Sequence, residues 1–370
     1  MWIKRKKDCR GSDISGIKVT RKEKISMNHD VNTALLLNQL MFAGDAITPD
    51  IDAAIKNMAG QLGADKTESI AKEWKIISYV SHTLSIVFPE EKRWMDIHKQ
   101  YLKRNELLLE VLEKIFADTE KEGITSLCVT ENFGSILRGH ACLGCFQSGD
   151  IDMTADRSEQ KKIEAVFQKY GFILKSDTVQ VTKYKNTGLI PGGFSFQITW
   201  VAVARSYLNQ KAPTKRLAES RIAATAIEGK HIKVLNPTEQ LYFCSYHISA
   251  GHYYTLTPGI RLYADIDRLL RGNQKIEWDK VFDWSREDNV GLRVVLPIYL
   301  SHKFLKTPVP NSVIQFIEEN PHAVHFAKKL TNPSDMGFGC NSGTLHRLYV
   351  DLASNGTSMP KALVEKIKGN

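Results

Sequence analysis

Nowhere do the 370 residues run apolar for the roughly 20 positions that a bilayer-spanning helix needs. No apolar stretch of leader type follows the basic start Met1-Trp2-Ile3-Lys4. These two absences exclude a transmembrane helix and argue against secretion, so the expected location is the cytoplasm. Cysteine is scarce, at six residues, and only Cys142-Leu-Gly-Cys145 is closely spaced. One C-x-x-C without a second such pair does not complete a zinc site. It also stands between two expected strands rather than at the start of a helix, so a thioredoxin-like use is not expected. The cysteines are read as reduced thiols. Internal repeats and low-complexity segments are absent as well.

The chain does carry a balanced, globular composition: 42% hydrophobic and 25% charged residues, enough for a core and for about two domains. The formal charge is +9, but residues 1–26 hold nine Lys or Arg against three acids. Only +3 is left to the rest of the chain. A short basic tail can bind polyanions by counterion release. Without interleaved aromatics, it reads first as a disordered extension ahead of a body beginning near Met27.

Residues 27–121 have helical periodicity. Helices are expected after Asn28 or Asp30, from Pro49 into Met58, from Thr67 to Val87, and from Trp94 to Lys121, the last with Ile97, Tyr101, Leu108, Leu112 and Ile115 on one stripe. The pattern changes at Ile124. Short apolar, β-branched runs predict strands at Ser126–Thr130, Gly149–Met153, Phe172–Leu174, Val179–Tyr184, Phe194–Ala204 and His231–Val234, with a helix over 159–170. Helices resume at Leu241–Ala250, Gly259–Arg271, Val290–Phe304 and 361–368. The expected class is α+β, with a core at 122–235 and a C-terminal helical region over 236–370.

Within that core, Asp150-Ile151-Asp152-Met153 alternates acidic and apolar residues. Side chains two apart on a strand project together, so Asp150 and Asp152 share a face while Ile151 and Met153 anchor the other. Like charges this close repel unless a cation sits between them. Paired carboxylates suit Mg²⁺ (or Mn²⁺), which keeps waters and takes substrate phosphates as further ligands. Upstream, Gly134-Ser135 follows an apolar strand, where backbone amides and a hydroxyl can grip phosphate oxygens. Lys183, Lys185 and Arg138 are cations near the core strands. His247 and His252, five apart, would differ by about 140° on a helix, so a joint metal site is not expected and packing explains them. Arg261, Asp265 and Asp267 read as an ion network between helices. Tyr253 and Tyr254 suit either base stacking or packing.

The order apolar strand, Gly-Ser, a gap, then Asp-apolar-Asp resembles the polymerase-beta-like nucleotidyltransferase superfamily. Gly149-Asp-Ile-Asp152, Phe196-Gln-Ile-Thr-Trp200, Pro237-Thr-Glu-Gln-Leu241 with His247 and His252, and Arg261-Leu-Tyr-Ala-Asp265-Ile-Asp267 are together similar to the bacterial uncharacterised nucleotidyltransferase family, from about Met27 to Lys306. The resemblance implies a small polymerase-beta-like core with a mixed sheet, flanked by helical regions. It implies Mg²⁺-dependent transfer of a nucleoside monophosphate from an NTP such as ATP to an acceptor hydroxyl, with pyrophosphate released. Asp150 and Asp152 would hold the metal, Gly134 and Ser135 the phosphates, and His247, His252, Arg261 and Asp265 would stand behind them. It also implies a third carboxylate on the strand ending at Trp200. That strand offers Gln197 and Thr199, and no Asp or Glu stands between Ile190 and Arg205. A Gln oxygen can ligate but carries no charge and accepts no proton as a base. Three readings follow: an active enzyme with another acid such as Asp177 in that place, a non-catalytic nucleotide-binding relative, or a toxin-like transferase acting on tRNA through the basic tail.

Overall fold

The computed structural model describes residues 37, 47–138, 142–189, 193–201, 213–255, 259–272, 275–331, 350, 353 and 354. Within them lie thirteen α-helices and one mixed sheet of seven strands, an α+β architecture. The basic tail, the helix expected after Asn28 (apart from Leu37, which is helical and buried) and the piece at 361–368 lie outside the described residues.

Four helices come first: α1 (Pro49–Leu62), α2 (Ala64–Glu73), α3 (Ile77–Val87) and α4 (Lys92–Lys121). Thr48 caps α1, its side chain accepting from the Ile51 amide, and Pro49 fills the first helical position. The helix expected over Thr67–Val87 is two helices. Lys75 takes a left-handed backbone, φ +54°, which breaks the hydrogen-bond ladder between α2 and α3.

The sheet runs β3-β4-β5-β2-β1-β7-β6. Its strands are β1 (Cys128–Val129), β2 (Asp150–Thr154), β3 (Ile173–Asp177), β4 (Val181–Asn186), β5 (Phe194–Thr199), β6 (Thr225–Ala226) and β7 (Lys233–Val234). Helix α5 (Glu131–Leu137) follows β1, and α6 (Gln160–Lys169) follows β2. The described part of the last long strand ends at Thr199, short of the Ala204 that periodicity predicted. One face of the sheet is covered by apolar side chains of α4 (Leu108, Leu112, Ile115) and α6 (Ile163, Val166, Phe167), which close over Ile151, Met153 and Phe196. Full burial of each of these side chains contributes about 1.5–3 kcal/mol, which fixes the register of β2.

After α7 (Thr214–Ala223), the chain builds a helical body from α8 (Pro237–Ala250), α9 (Ile260–Arg271), α10 (Trp278–Glu287), α11 (Gly291–Leu305), α12 (Asn311–Glu318) and α13 (Pro321–Thr331). Its core is a second cluster that joins Leu241, Tyr263 and Val295 to Tyr79 and Trp94 of the N-terminal helices. Helices α8 and α9 both pack on α5, the short helix leaving the sheet. No helix among the described residues is long and apolar enough to cross a membrane.

Candidate functional site

Strand β2 presents its two faces as alternation requires: Ile151 and Met153 are fully buried, while Asp150 and Asp152 are half-buried on the other side. Parallel pairing with β5 sets Asp152 opposite Gln197, and antiparallel pairing of β5 with β4 sets Gln197 opposite Lys183. Asp152, Gln197 and Lys183 therefore form one row across three strands. The row is tied by hydrogen bonds. Gln197 Nε2 donates to Asp152 Oδ1 at 2.9 Å, Lys183 Nζ to Asp150 Oδ2 at 2.8 Å, and Ser148 Oγ to Asp150 Oδ1 at 2.8 Å.

Beside this row lies a residue that sequence reasoning missed. The Thr130 amide donates to the Asp152 carbonyl, and at Glu131 the chain turns into α5 with φ +54°. A left-handed conformation at a non-glycine residue costs on the order of 1 kcal/mol or more, and such strain gathers at functional sites. The turn brings the Glu131 carboxyl into hydrogen-bonding contact with Asp152. A third carboxyl group thus stands beside Asp152, and it comes from the turn after β1 and not from β5. Its signal was an acid directly behind an apolar strand, three residues before Gly134-Ser135.

The electrostatics follow from crowding. Burial, and then the charge of Asp152, raise the Glu131 carboxyl well above the ordinary range. Asp152 is raised by burial and by Asp150, with Arg261 opposing. Burial also pushes Asp150 upward, but the Lys183 and Ser148 hydrogen bonds outweigh it and hold that carboxyl below its usual value. Burial and crowding thus favour a proton on the Glu131–Asp152 pair, whereas Lys183 and Ser148 favour the ionised form of Asp150.

His247 and His252 meet, contrary to the helical expectation. Helix α8 ends at Ala250, so the spacing of five does not continue around a helix; the chain turns through Gly251 and brings the rings together, Nε2 to Nε2 at 2.8 Å. His247 Nδ1 stands 3.1 Å from Glu131 Oε1. Burial, His252 and Arg261 push the His247 pKa down to about 3, so the ring is neutral at neutral pH. A continuous polar chain runs from His252 through His247, Glu131 and Asp152 to Gln197.

These residues line one cleft of about 750 Å³ between the sheet and α8–α9, within the range of small-molecule sites. Its walls are uneven in charge. Asp150, Asp152 and Glu131 stand on the sheet side, and Lys72, Lys75 and Arg261 on the helical side. The Arg261 Nε is buried without a hydrogen-bond partner. Such a donor is costly to leave unpaired and fits an anionic ligand.

Other predicted residues are placed elsewhere. Gly134 and Ser135 sit one turn inside α5, not among the residues that line the cleft. Ser135 is buried and its Oγ accepts from Gln240 Nε2 at 2.8 Å; a Cβ on Gly134 would come within 2.9 Å of that same nitrogen. The glycine-serine pair thus admits Gln240, which also donates to the Glu131 carbonyl and so pins the strained turn. Thr199 lines a smaller pocket that shares Glu131 and His247 with the cleft, and its carbonyl accepts from Thr154. Asp177 is no substitute acid. It bonds Arg157 and the side chain of Thr182, whose position on β4 points away from the face carrying Lys183. The Arg138 guanidinium is spent on the Leu235 carbonyl and Thr225. Lys183, by contrast, is a member of the site. Asp265 is buried behind the cleft with the Tyr79 hydroxyl at 3.3 Å, and Asp267 pairs with Arg271 at 2.9 Å. Tyr253 and Tyr254 are buried, the latter edge-on against Phe326, so they pack rather than offer a stacking face.

A family model described as an uncharacterised nucleotidyltransferase matches residues 69–306. That span begins in α2 and ends one residue past α11, and it contains every wall of the cleft. No curated protein and no solved structure gives a match.

Proposed function

This chain belongs to the uncharacterised nucleotidyltransferase family, and we propose that it transfers a nucleoside monophosphate from an NTP to an acceptor hydroxyl, releasing pyrophosphate, on a polymerase-beta-like core. The observation that carries the reading is the third carboxylate: Glu131 beside Asp152, with Asp150 on the same strand face.

The donor set is all oxygen and lies in a cleft with room for waters, which fits Mg²⁺ or Mn²⁺ better than a softer ion. Bound by Asp150 and Asp152, the ion would neutralise charge on the triphosphate and align the α-phosphate for in-line attack. The chain's own groups supply the rest. Lys72, Lys75 and the unpartnered Arg261 nitrogen face the phosphates from the opposite wall. Glu131, once the shared proton has left, accepts the proton of the attacking hydroxyl, and the neutral His247 at 3.1 Å stands ready to pass it toward His252. Gln197 donates to Asp152 and keeps one of its oxygens in place.

Gln197 itself favours a second reading. With an uncharged amide where the superfamily carries its third acid, the cleft would bind a nucleotide without turning it over. A titration separates the two. Wild-type chain, Asp152→Asn and Glu131→Gln are given Mg²⁺ and each NTP with a panel of hydroxyl acceptors, and both the melting temperature and pyrophosphate are followed. Stabilisation by an NTP with pyrophosphate release supports transfer; stabilisation alone supports the binding-only relative. An absence of both for every nucleotide overturns the reading.

A further inference from the structure

The Cys142-Leu-Gly-Cys145 pair lacked a second pair in the sequence, and the fold supplies one from two distant helices. Leu143–Cys145 is a single 3₁₀ turn, closed by the Cys145 amide donating to the Cys142 carbonyl at 2.8 Å. Cys142 caps the turn and Cys145 is its last residue. The Cys142 and Cys145 thiols lie within hydrogen-bonding reach of one another. His82, on α3, and His98, on α4, stack at 4.6 Å between ring centroids. His98 Nε2 is 3.6 Å from the Cys142 sulfur. Ligand atoms of His82, His98 and Cys142 all lie within 4.8 Å of one another, the one such group among the described residues.

We propose that His82, His98, Cys142 and Cys145 form a tetrahedral Cys₂His₂ zinc site that fastens the strand-leading loop to α3 and α4. Ligand atoms around a tetrahedral Zn²⁺ stand about 3.3–3.8 Å apart, so small rotamer changes close His82, His98 and Cys142 on the ion, and the Cys145 side chain beside Cys142 turns in as the fourth. Thiolate and imidazole donors select zinc over the hard cation suited to the cleft. Four protein ligands leave no open position, which makes the site structural. The surroundings are built for close approach. A Cβ on Gly144 would lie 2.4 Å from His98 Cε1, so only glycine lets the imidazole reach past the turn. The same loop is held by Ser78 Oγ donating to the Cys145 carbonyl at 2.7 Å and by Asn105 Nδ2 donating to the Leu143 and Phe146 carbonyls at 2.8 Å. Five residues beyond Cys145 stands Asp150.

The test uses the full chain, purified without chelator and with a reductant that does not bind metal. Elemental analysis is expected to return about one zinc per chain, falling to roughly a tenth or less in a Cys142→Ser, His98→Ala chain. Asp152→Asn is expected to keep the wild-type content, which separates this centre from the cleft. Because the double variant can lose zinc simply by misfolding, wild-type chain reloaded with Co²⁺ supplies the second readout. Its spectrum should carry the visible bands of a tetrahedral ion and a thiolate-to-metal charge-transfer band of two-sulfur intensity. Wild-type chain without stoichiometric zinc after growth in zinc-supplemented medium, a Co²⁺ spectrum without the thiolate band, or a Cys142–Cys145 disulfide in the freshly isolated protein would each overturn the proposal.

Discussion

Two polar centres flank the segment 142–152, and they are built on opposite rules. The cleft gathers oxygen donors from β2 and the β1 turn, spreads them along a wall, and leaves about 750 Å³ in front. The loop cluster gathers sulfur and nitrogen donors from three elements and draws those of His82, His98 and Cys142 within 4.8 Å of one another. An open oxygen site holds an ion that arrives with its substrate; a closed sulfur–nitrogen site holds one for the life of the fold. Four residues separate Cys145 of the one from Asp150 of the other. Arg104 of α4 reinforces that link, donating to the Ser148 carbonyl and lying over the Phe146 and Phe194 rings.

The comparison breaks most visibly at turnover. Asp152→Asn keeps the shape and the Gln197 contact but removes a charge the ion needs, and pyrophosphate release should fall about 10³-fold or more. Glu131→Gln removes the proton acceptor while leaving two carboxylates for the ion, with an expected loss of about 10²-fold at unchanged nucleotide affinity. Steady-state kinetics with the nucleotide identified by titration checks both. An equal loss in kcat and in nucleotide affinity for Glu131→Gln would make that residue a ligand instead. On the other side, Gly144→Ala should destabilise the fold by about 1–3 kcal/mol, since the new methyl meets the His98 ring at 2.4 Å. Urea unfolding measures it. A chain as stable as wild type would mean that His98 is free to swing aside, and the closed character of the sulfur centre would be lost.

How much of this was legible in the sequence divides along the same line. Asp150 and Asp152 were readable because a strand's period of two fixes the face of each side chain without any tertiary knowledge. The place of Glu131 was not, because a third acid was sought on β5; only the pairing of β1 with β2 brings the turn after β1 to Asp152. The histidine pair was misread by carrying helical geometry past Ala250, although Gly251 marked a stop. His82 and His98 carried no signal, since their meeting depends on the packing of α3 against α4, not on spacing. The glycine-serine pair was read as a phosphate grip when the need for a small residue came from Gln240. Local rules found what a single element fixes, and they missed what two elements fix together.

The smallest expected effect concerns the charge stored behind the cleft. Asp265 is buried with the Tyr79 hydroxyl at 3.3 Å, and burial raises its pKa to about 7 from 3.8, with Arg261 and Arg268 only partly offsetting this. The folded chain therefore keeps a proton that the unfolded chain gives up near pH 4. Stability contributed by that proton is full below pH 4, declines as pH rises toward 7, and is gone above it. Asp265→Asn removes this one titration, so relative to wild type the variant should gain stability as pH rises across this window and exceed it at pH 8 by about 1–2 kcal/mol. Urea midpoints at pH 4.5 and pH 8, about either side of the transition, give the slope. Gly144→Ala changes no titrating group, so it should lower the whole curve and leave that slope unchanged. A slope that altered with Gly144→Ala would show the loop and Asp265 to be coupled through Tyr79, whose hydroxyl feels both Cys145 and Asp265.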